Sequence, residues 1–511
     1  MAKLNRLVGE LRAQVKALEE DLRARVDGPD LHGRQEGVYE RWHAEWEAAL
    51  KAERSAASWQ EWRDDRVVQA AVAWVLLAVF ARFCEDNELV RPVWIAGHTK
   101  DRRQLALDAR RAYFQENPEH NDRHWLSTIV DYFAGMGATA GLVDEYSPLH
   151  QVAPSGDAAQ RLLEFWWETD AEGEQLLRRF DDPKLNTRFL GDLYQDLSEH
   201  AKKTYALLQT PEFVEEFILD QTMEPALKER PLDGFRLIDP TCGSGHFLLG
   251  AFRRLLDRWS KHAPNLDSRT LVQRALDGVH GVDINPFAVA IARFRLIVGA
   301  LKATSERSLE KAPDFLLNVA AGDSLLFGAP QQALGDDMFS FDQVVFAYST
   351  EDRKALERLL QTRDGEPVAY DVVVGNPPYI TVKDKALNAA YRTLYKTCHR
   401  NYSLTAPFME LFFGLATRGE RPGWVAQITS NSFMKREFGK PLIEEFLARC
   451  NLRVVINSEG AWIPGHNMDG TPTVILVARN GSPNGSTIRA ILNKGLRENR
   501  DVGNEGDGPG Q

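Results

Sequence analysis

Between residues 235 and 478, short β-rich runs alternate with helical stretches, and that rhythm constrains the fold more than any other feature of the chain. The runs are FRLID (235–239), VHGVDI (279–284), NVAAGD (318–323), YDVVVG (370–375), WVAQIT (424–429), LRVVIN (452–457) and TVILVA (473–478). Parallel neighbours need a crossover long enough to hold a helix, so the alternation predicts an α/β fold, a mostly parallel sheet covered by helices. The last two runs are joined only by EGAWIPGHNMDGTPT, which is short for a crossover helix. A hairpin is expected there, with the last strand antiparallel.

Upstream the pattern is helical and rich in tryptophan, so the 511 residues divide into a helical arm (1–30), an all-α domain (31–204), the α/β domain (205–480) and a flexible polar tail (481–511). In the arm, Leu4, Leu7, Leu11, Val15, Leu18, Leu22 and Val26 fall on one helical stripe. A short coiled coil and an amphipathic helix packed on its own domain both fit that stripe. The longest apolar run, Ala70 to Ala81, falls short of the roughly 20 residues that cross a bilayer. No membrane span is expected, and the N-terminus lacks the apolar core of a secretory signal, so the expected location is the cytoplasm. Four scattered cysteines do not suggest a metal cluster or a disulfide framework. A net charge of −11 argues against coating nucleic acid by global attraction and leaves room for a local basic face.

The stretch LIDPTCGSGHFLLGAFRRLL (237–256) reads as a strand, a glycine loop and a helix. Gly243 and Gly245 permit a tight turn and close ligand approach, and the first turn of the helix offers free N–H groups. The third glycine of a dinucleotide fingerprint and the Walker lysine are both missing, so neither NAD nor ATP is expected. At the next strand end, Asp283 can accept hydrogen bonds from a ribose diol. Asp239, Asp283 and Asp323 stand at three successive strand ends, the edge along which open α/β sheets bind ligands, although one of them can serve only to cap a loop.

The run YDVVVG stops at Asn376-Pro377-Pro378-Tyr379. An amide fixed at a strand end can accept from one hydrogen of an amino group through its carbonyl, and the Pro377 carbonyl can accept the other. Two acceptors would aim the nitrogen lone pair and stabilise the positive charge that develops when it attacks. Tyr379 offers a ring face for stacking. The plainer alternative is a Pro-Pro turn that simply ends a strand. The following stretch, KDKALNAAYRTLYKTCHRNY (383–402), interleaves Lys383, Lys385, Arg392, Lys396 and Arg400 with Tyr391, Tyr395 and Tyr402. A basic, aromatic nucleic-acid surface and an ordinary solvated helix face both fit it.

Taken in order, DPTCGSGHFL (239–248), GVDINP (281–286), GDSLL (322–326), GNPPYI (375–380) and TSNSF (429–433) resemble the motif set of amino-group DNA methyltransferases of the γ arrangement. Gln209-Thr210-Pro211, ahead of the first motif, resembles that family's extra cofactor motif. The stretches LVGELRAQVKALEEDLRARV, ASWQEWRDDRVVQAAVAWVLLAVFARFCEDNELV and WLSTIVDYF resemble the helical region of the adenine-specific methyltransferases of type 2 BREX, the phage growth limitation systems.

The resemblance implies a Rossmann-like class I methyltransferase sheet and S-adenosylmethionine as cofactor, with no metal. It implies that the cofactor lies along Asp239, Pro240, Gly243 and Gly245, with Thr210 and Pro211 at its methionine end. Asp283 would hold the ribose hydroxyls and Asp323 the amino group of the cofactor's adenine, with Ile284 and Ser324 also binding the cofactor. Asn376, Pro377, Pro378 and Tyr379 would hold a target adenine flipped out of DNA, with Phe433 as a second aromatic contact and Lys383, Arg392 and Lys396 beside the DNA. DNA and other phage-defence proteins are the implied partners. Family members continue into a target-recognition region, so sequence-specific binding is expected to need more than these residues. Methyl transfer to RNA or to a protein glutamine, and a non-catalytic assembly module, are the alternatives.

Overall fold

The computed structural model describes residues 2–28, 35–197, 210–329, 345–363, 366–458, 472–483, 485 and 488–492. They fall into two compact units, Met1–Leu207 with Cys242–Asp323 and Val344–Leu359, and Leu208–Thr241 with Ser324–Gln343 and Leu360–Gln511. The strands are β1 (Leu237–Asp239), β2 (Val279–Asp283), β3 (Asn318–Ala321), β4 (Thr362–Arg363), β5 (Glu366–Pro367), β6 (Val372–Gly375), β7 (Trp424–Ser430), β8 (Asn451–Asn457), β9 (Thr473–Arg479) and β10 (Arg489–Leu492).

The first unit is built around the helix Trp59–Asp86. Its start is set by a capping box, in which the Ser58 hydroxyl accepts from the Glu61 N–H and the Glu61 carboxylate accepts from the Ser58 N–H. By length and composition it could cross a membrane, yet 94% of its most apolar window is buried inside the unit, as expected of a core helix that is apolar all round. Its C-terminal end buries charge. Arg82 donates to Glu85 at 2.8 Å and to Asp86 at 2.7 Å. The Glu85 carboxylate also accepts from the N–H groups of Trp94, Ile95 and Ala96. Burial pushes Glu85 up to about 7, and Arg82 opposes that rise.

Leu11, Val15, Leu18, Leu22 and Val26 are all buried, and the helix Ala2–Asp27 packs on the core helix. It is therefore a packed helix and not a projecting arm; its stripe announces an apolar face without naming the partner that covers it. In the same unit β2 and β3 pair in parallel, with Asp283 opposite Ala321, and the helix Pro286–Thr304 connects them. The Phe80 ring of the core helix stacks on Phe294 of this connection at 4.3 Å, so N-terminal helices and α/β elements share one core.

In the second unit the strand order is β10-β8-β9-β7-β6-β1. β1, β6 and β7 run parallel, β9 is antiparallel to both β7 and β8, and β10 is parallel to β8. The expected reversal at the β8–β9 hairpin is thus present. It does not close the fold, because Arg489–Leu492, expected to lie in an unstructured tail, forms a further exposed strand; residues 493–511 lie outside the described residues. The small hairpin β4–β5 is also an addition to the expected elements. All four residues of β6 are buried, which explains its continuous apolar run.

Candidate active site

In the first unit, the glycine loop and two strand ends bring polar groups together. Gly243 has φ 51° and Gly245 φ 83°, the left-handed region that glycine enters without penalty. A Cβ on Gly245 would also come within 3.0 Å of the Ala292 side chain. The loop then turns into the helix His246–His262. Asp283, at the tip of β2, is half-buried. One of its oxygens accepts from the Gly243 N–H and the other from the Asn285 N–H, each at 2.9 Å. Burial pushes its carboxyl up to about 6 against the pull of these two donors. Ile284 beside it is 43% exposed.

Beyond the tip of β3 the surroundings differ. Asp323 is 2% exposed and accepts from Arg54 Nη1 at 3.0 Å. The same guanidinium donates through Nη2 to Glu351 at 2.8 Å and through Nε to the Phe346 carbonyl at 3.2 Å. Arg54 belongs to the turn between the helix Val38–Lys51 and the core helix, and no motif in the sequence pointed to it.

In the second unit, Asp239 closes its own loop by accepting from the Thr241 N–H at 2.9 Å and hydroxyl at 3.1 Å. The Ser324 hydroxyl donates to the Pro240 carbonyl at 2.7 Å. Gly375 is required where β6 ends, since a Cβ would lie 2.7 Å from both Asp239 Oδ1 and Thr241 Oγ1 and 2.8 Å from the Phe412 ring. Asn376 follows. Its amide nitrogen donates to Thr210 Oγ1 at 3.3 Å, and its carbonyl oxygen accepts from the Tyr379 hydroxyl at 2.6 Å. Burial pushes the Tyr379 phenol up, so it stays a donor across the ordinary pH range. Pro377 is buried, Pro378 is half-buried, and Pro211 leads into the helix Glu212–Glu229; Gln209 lies outside the described residues.

Three site expectations change in the structure. Phe433 is 2% exposed and lines an apolar cavity of about 390 Å³ with Met434, Ile443, Leu447 and Val455, so it presents no open face to a base here. Tyr391, Tyr395 and Tyr402 are core residues at 3%, 1% and 0% exposure, which leaves a basic surface without aromatic platforms. The helix over this stretch is Lys385–Leu394, so Lys396 and Arg400 lie beyond it and form no stripe with Arg392. Arg392 itself bonds Asn388 at 3.0 Å and the Arg400 carbonyl, and stacks over Tyr402 at 4.9 Å, which closes the turn. Lys383 and Lys396 are exposed.

Over 506 residues the chain is 48% identical to "Adenine-specific methyltransferase PglX" of Streptomyces coelicolor, an alignment that covers 95% of this chain and 41% of that protein. That similarity runs over nearly the whole of this chain. Residues 277–462 match the family described as Eco57I restriction-modification methylase. "Type II methyltransferase M.PaeR7I" of Pseudomonas aeruginosa is 24% identical over 276 residues, covering 52% of this chain and 39% of that protein. The chain spans less than half the length of these curated relatives. Among solved structures, the cryoEM structure of a DrdV–DNA complex matches with a TM-score of 0.53 at 14% identity, covering 96% of this chain and 42% of that one, a likeness of fold.

Proposed function

We propose that the protein transfers a methyl group from S-adenosylmethionine to the N6 amino group of an adenine flipped out of DNA, in a phage-defence or restriction-modification setting. The observation that carries this reading is the Asn376 amide, set at the rigid end of β6 with its nitrogen on Thr210 and its carbonyl on Tyr379. In a complex, Asn376 Oδ1 and the Pro377 carbonyl would each accept one hydrogen of the amino group. That arrangement desolvates the nitrogen, directs its lone pair and stabilises the cation formed on attack. The proton leaves afterwards, so no general base is needed. The Tyr379 ring would stack on the extruded base and offset part of the few kcal/mol that extrusion costs.

The first unit fits the cofactor. Left-handed glycines bring the backbone close, Asp283 has acceptor capacity left after its two N–H bonds, and the exposed Ile284 offers an apolar face. When bound, S-adenosylmethionine supplies an electrophilic methyl group on sulfur. DNA as the substrate is supported by the match of residues 277–462 to a restriction-modification methylase and by the DNA in the DrdV complex. A cytoplasmic enzyme that works with other defence proteins follows from the same reading. The test is incubation with methyl-tritiated S-adenosylmethionine and DNA, RNA or cell protein, followed by digestion. Label in N6-methyldeoxyadenosine is expected; label confined to RNA or to glutamine would overturn the choice of substrate.

A further inference from the structure

We propose that Arg54 is a positioning residue for recognition of the cofactor's adenine. In this role it fixes the Asp323 carboxylate so that the protein selects a 6-amino purine over a 6-oxo purine. The inference rests on the cofactor reading above and adds to it a residue from the helical N-terminal region. Asp323 lies at the end of β3, two residues beyond the strand, and Asp283 at the tip of β2, to which β3 pairs. A carboxylate in that position can accept a hydrogen bond from an amino group. It repels a carbonyl oxygen, because an ionised carboxylate has no hydrogen to donate. Such selection requires the carboxylate to be held in one orientation, and the hydrogen bond from Arg54 does this.

The geometry is that of a built clamp. The Arg54 backbone is anchored by its N–H to the Ala49 carbonyl at 2.9 Å, immediately after Glu53, which has φ 53°. Its side chain is 5% exposed, and its three nitrogens reach three different partners, Asp323, Glu351 and the Phe346 carbonyl. Glu351 is fixed in turn by the Tyr348 N–H at 2.9 Å. The Tyr348 ring lies 5.1 Å from the Arg54 guanidinium and 4.1 Å from that of Arg66, so Tyr348 is itself held in place. A planar fork that sends separate N–H groups to two carboxylates is a job for arginine; the single point charge of lysine cannot set both directions. Glu351 therefore orients Arg54, and Arg54 orients Asp323.

The test is calorimetric binding of S-adenosylhomocysteine and of S-inosylhomocysteine to the full chain, read as the ratio of the two affinities. The wild type is expected to prefer the adenosyl compound by roughly tenfold to a hundredfold, the size of one hydrogen bond to a charged group. Arg54→Met is expected to bring the ratio to within about threefold of unity, and Arg54→Lys and Glu351→Gln to lower it by intermediate amounts. Asp283→Asn should weaken both compounds equally and leave the ratio alone, because the ribose is common to them.

A merely structural Arg54 would weaken both compounds in parallel, and an unchanged ratio in Arg54→Lys and Glu351→Gln overturns the proposal even if Arg54→Met fails to fold. Wild-type protein that binds neither compound overturns the cofactor reading and this inference together. Wild-type binding with an unaltered ratio in the variants overturns this inference alone.

Discussion

The ends of β6 and β3 orient their key acceptor oxygens by different means. The Asn376 carbonyl oxygen, after β6, is held by Tyr379 three residues along its own motif, while its amide nitrogen reaches Thr210, 166 residues earlier. Asp323, beyond β3, is held by an arginine 269 residues earlier, braced by an acid from a third segment. Asp283 likewise combines one local and one distant partner, with a donor two residues on and another 40 residues back. The difference teaches where a family motif is self-sufficient. A group oriented by its own motif keeps its geometry wherever the motif folds, whereas a group oriented from afar makes a distant region part of the site.

Four variants would break or sharpen this contrast. The largest effect is expected from Asn376→Ala, which should lower methyl transfer by roughly a hundredfold to a thousandfold, comparable to removing one preorganised transition-state contact. S-adenosylhomocysteine affinity should stay within about twofold, and a parallel collapse of binding would show that the β6 end is not self-contained.

Next comes Asp283→Ala, with a loss of roughly tenfold to a hundredfold in S-adenosylhomocysteine affinity measured by calorimetry. The wild-type affinity should be full above pH 6 and fall as the pH drops through about 6, because the carboxylate that accepts from the ribose is then protonated. The Asp283→Ala variant should show a flat profile in that window, and a persistent decline would place the titrating group elsewhere.

A smaller effect, about tenfold weaker DNA binding with a salt slope reduced by about 2, is expected from Lys383→Glu with Lys396→Glu, followed by fluorescence anisotropy across salt concentrations. An unchanged slope would return these lysines to ordinary solvated surface. The mildest change is Tyr379→Phe, which keeps the ring and removes the hydroxyl that donates to Asn376. Transfer should slow by about twofold to tenfold in single-turnover assays, the size of one neutral hydrogen bond. A faster variant would mean instead that the hydroxyl blocks the acceptor it touches.

What the sequence disclosed and what it hid follow the same divide. All seven expected strands are present, because two-residue alternation and apolar runs are local signals. The reversal at β9 was legible from the length of one connection. By contrast, Arg54 carries no local mark, since its importance comes only from what folds over it. The tyrosines of 383–402 read as a stacking surface because spacing alone does not reveal which face a helix buries or that this one ends at Leu394. Phe433 was assigned by its motif, while its burial is decided by the neighbours that line the cavity with it. β4 and β5, of two residues each, fall below what periodicity can detect, and all four residues of β10 are exposed, so no buried face marks that strand.

The stacking of Phe80 on Phe294 has a consequence for synthesis. The core helix leaves the ribosome about 200 residues before the helix that completes its packing, an interval of about 10 to 40 s at ordinary elongation speeds. During that wait a helix whose most apolar 18-residue window has a mean hydropathy of 2.0 lacks its final neighbour. Nascent chains arrested before residue 286 should therefore recruit chaperones or precipitate, and the cell must shepherd this helix until the later half of the unit arrives.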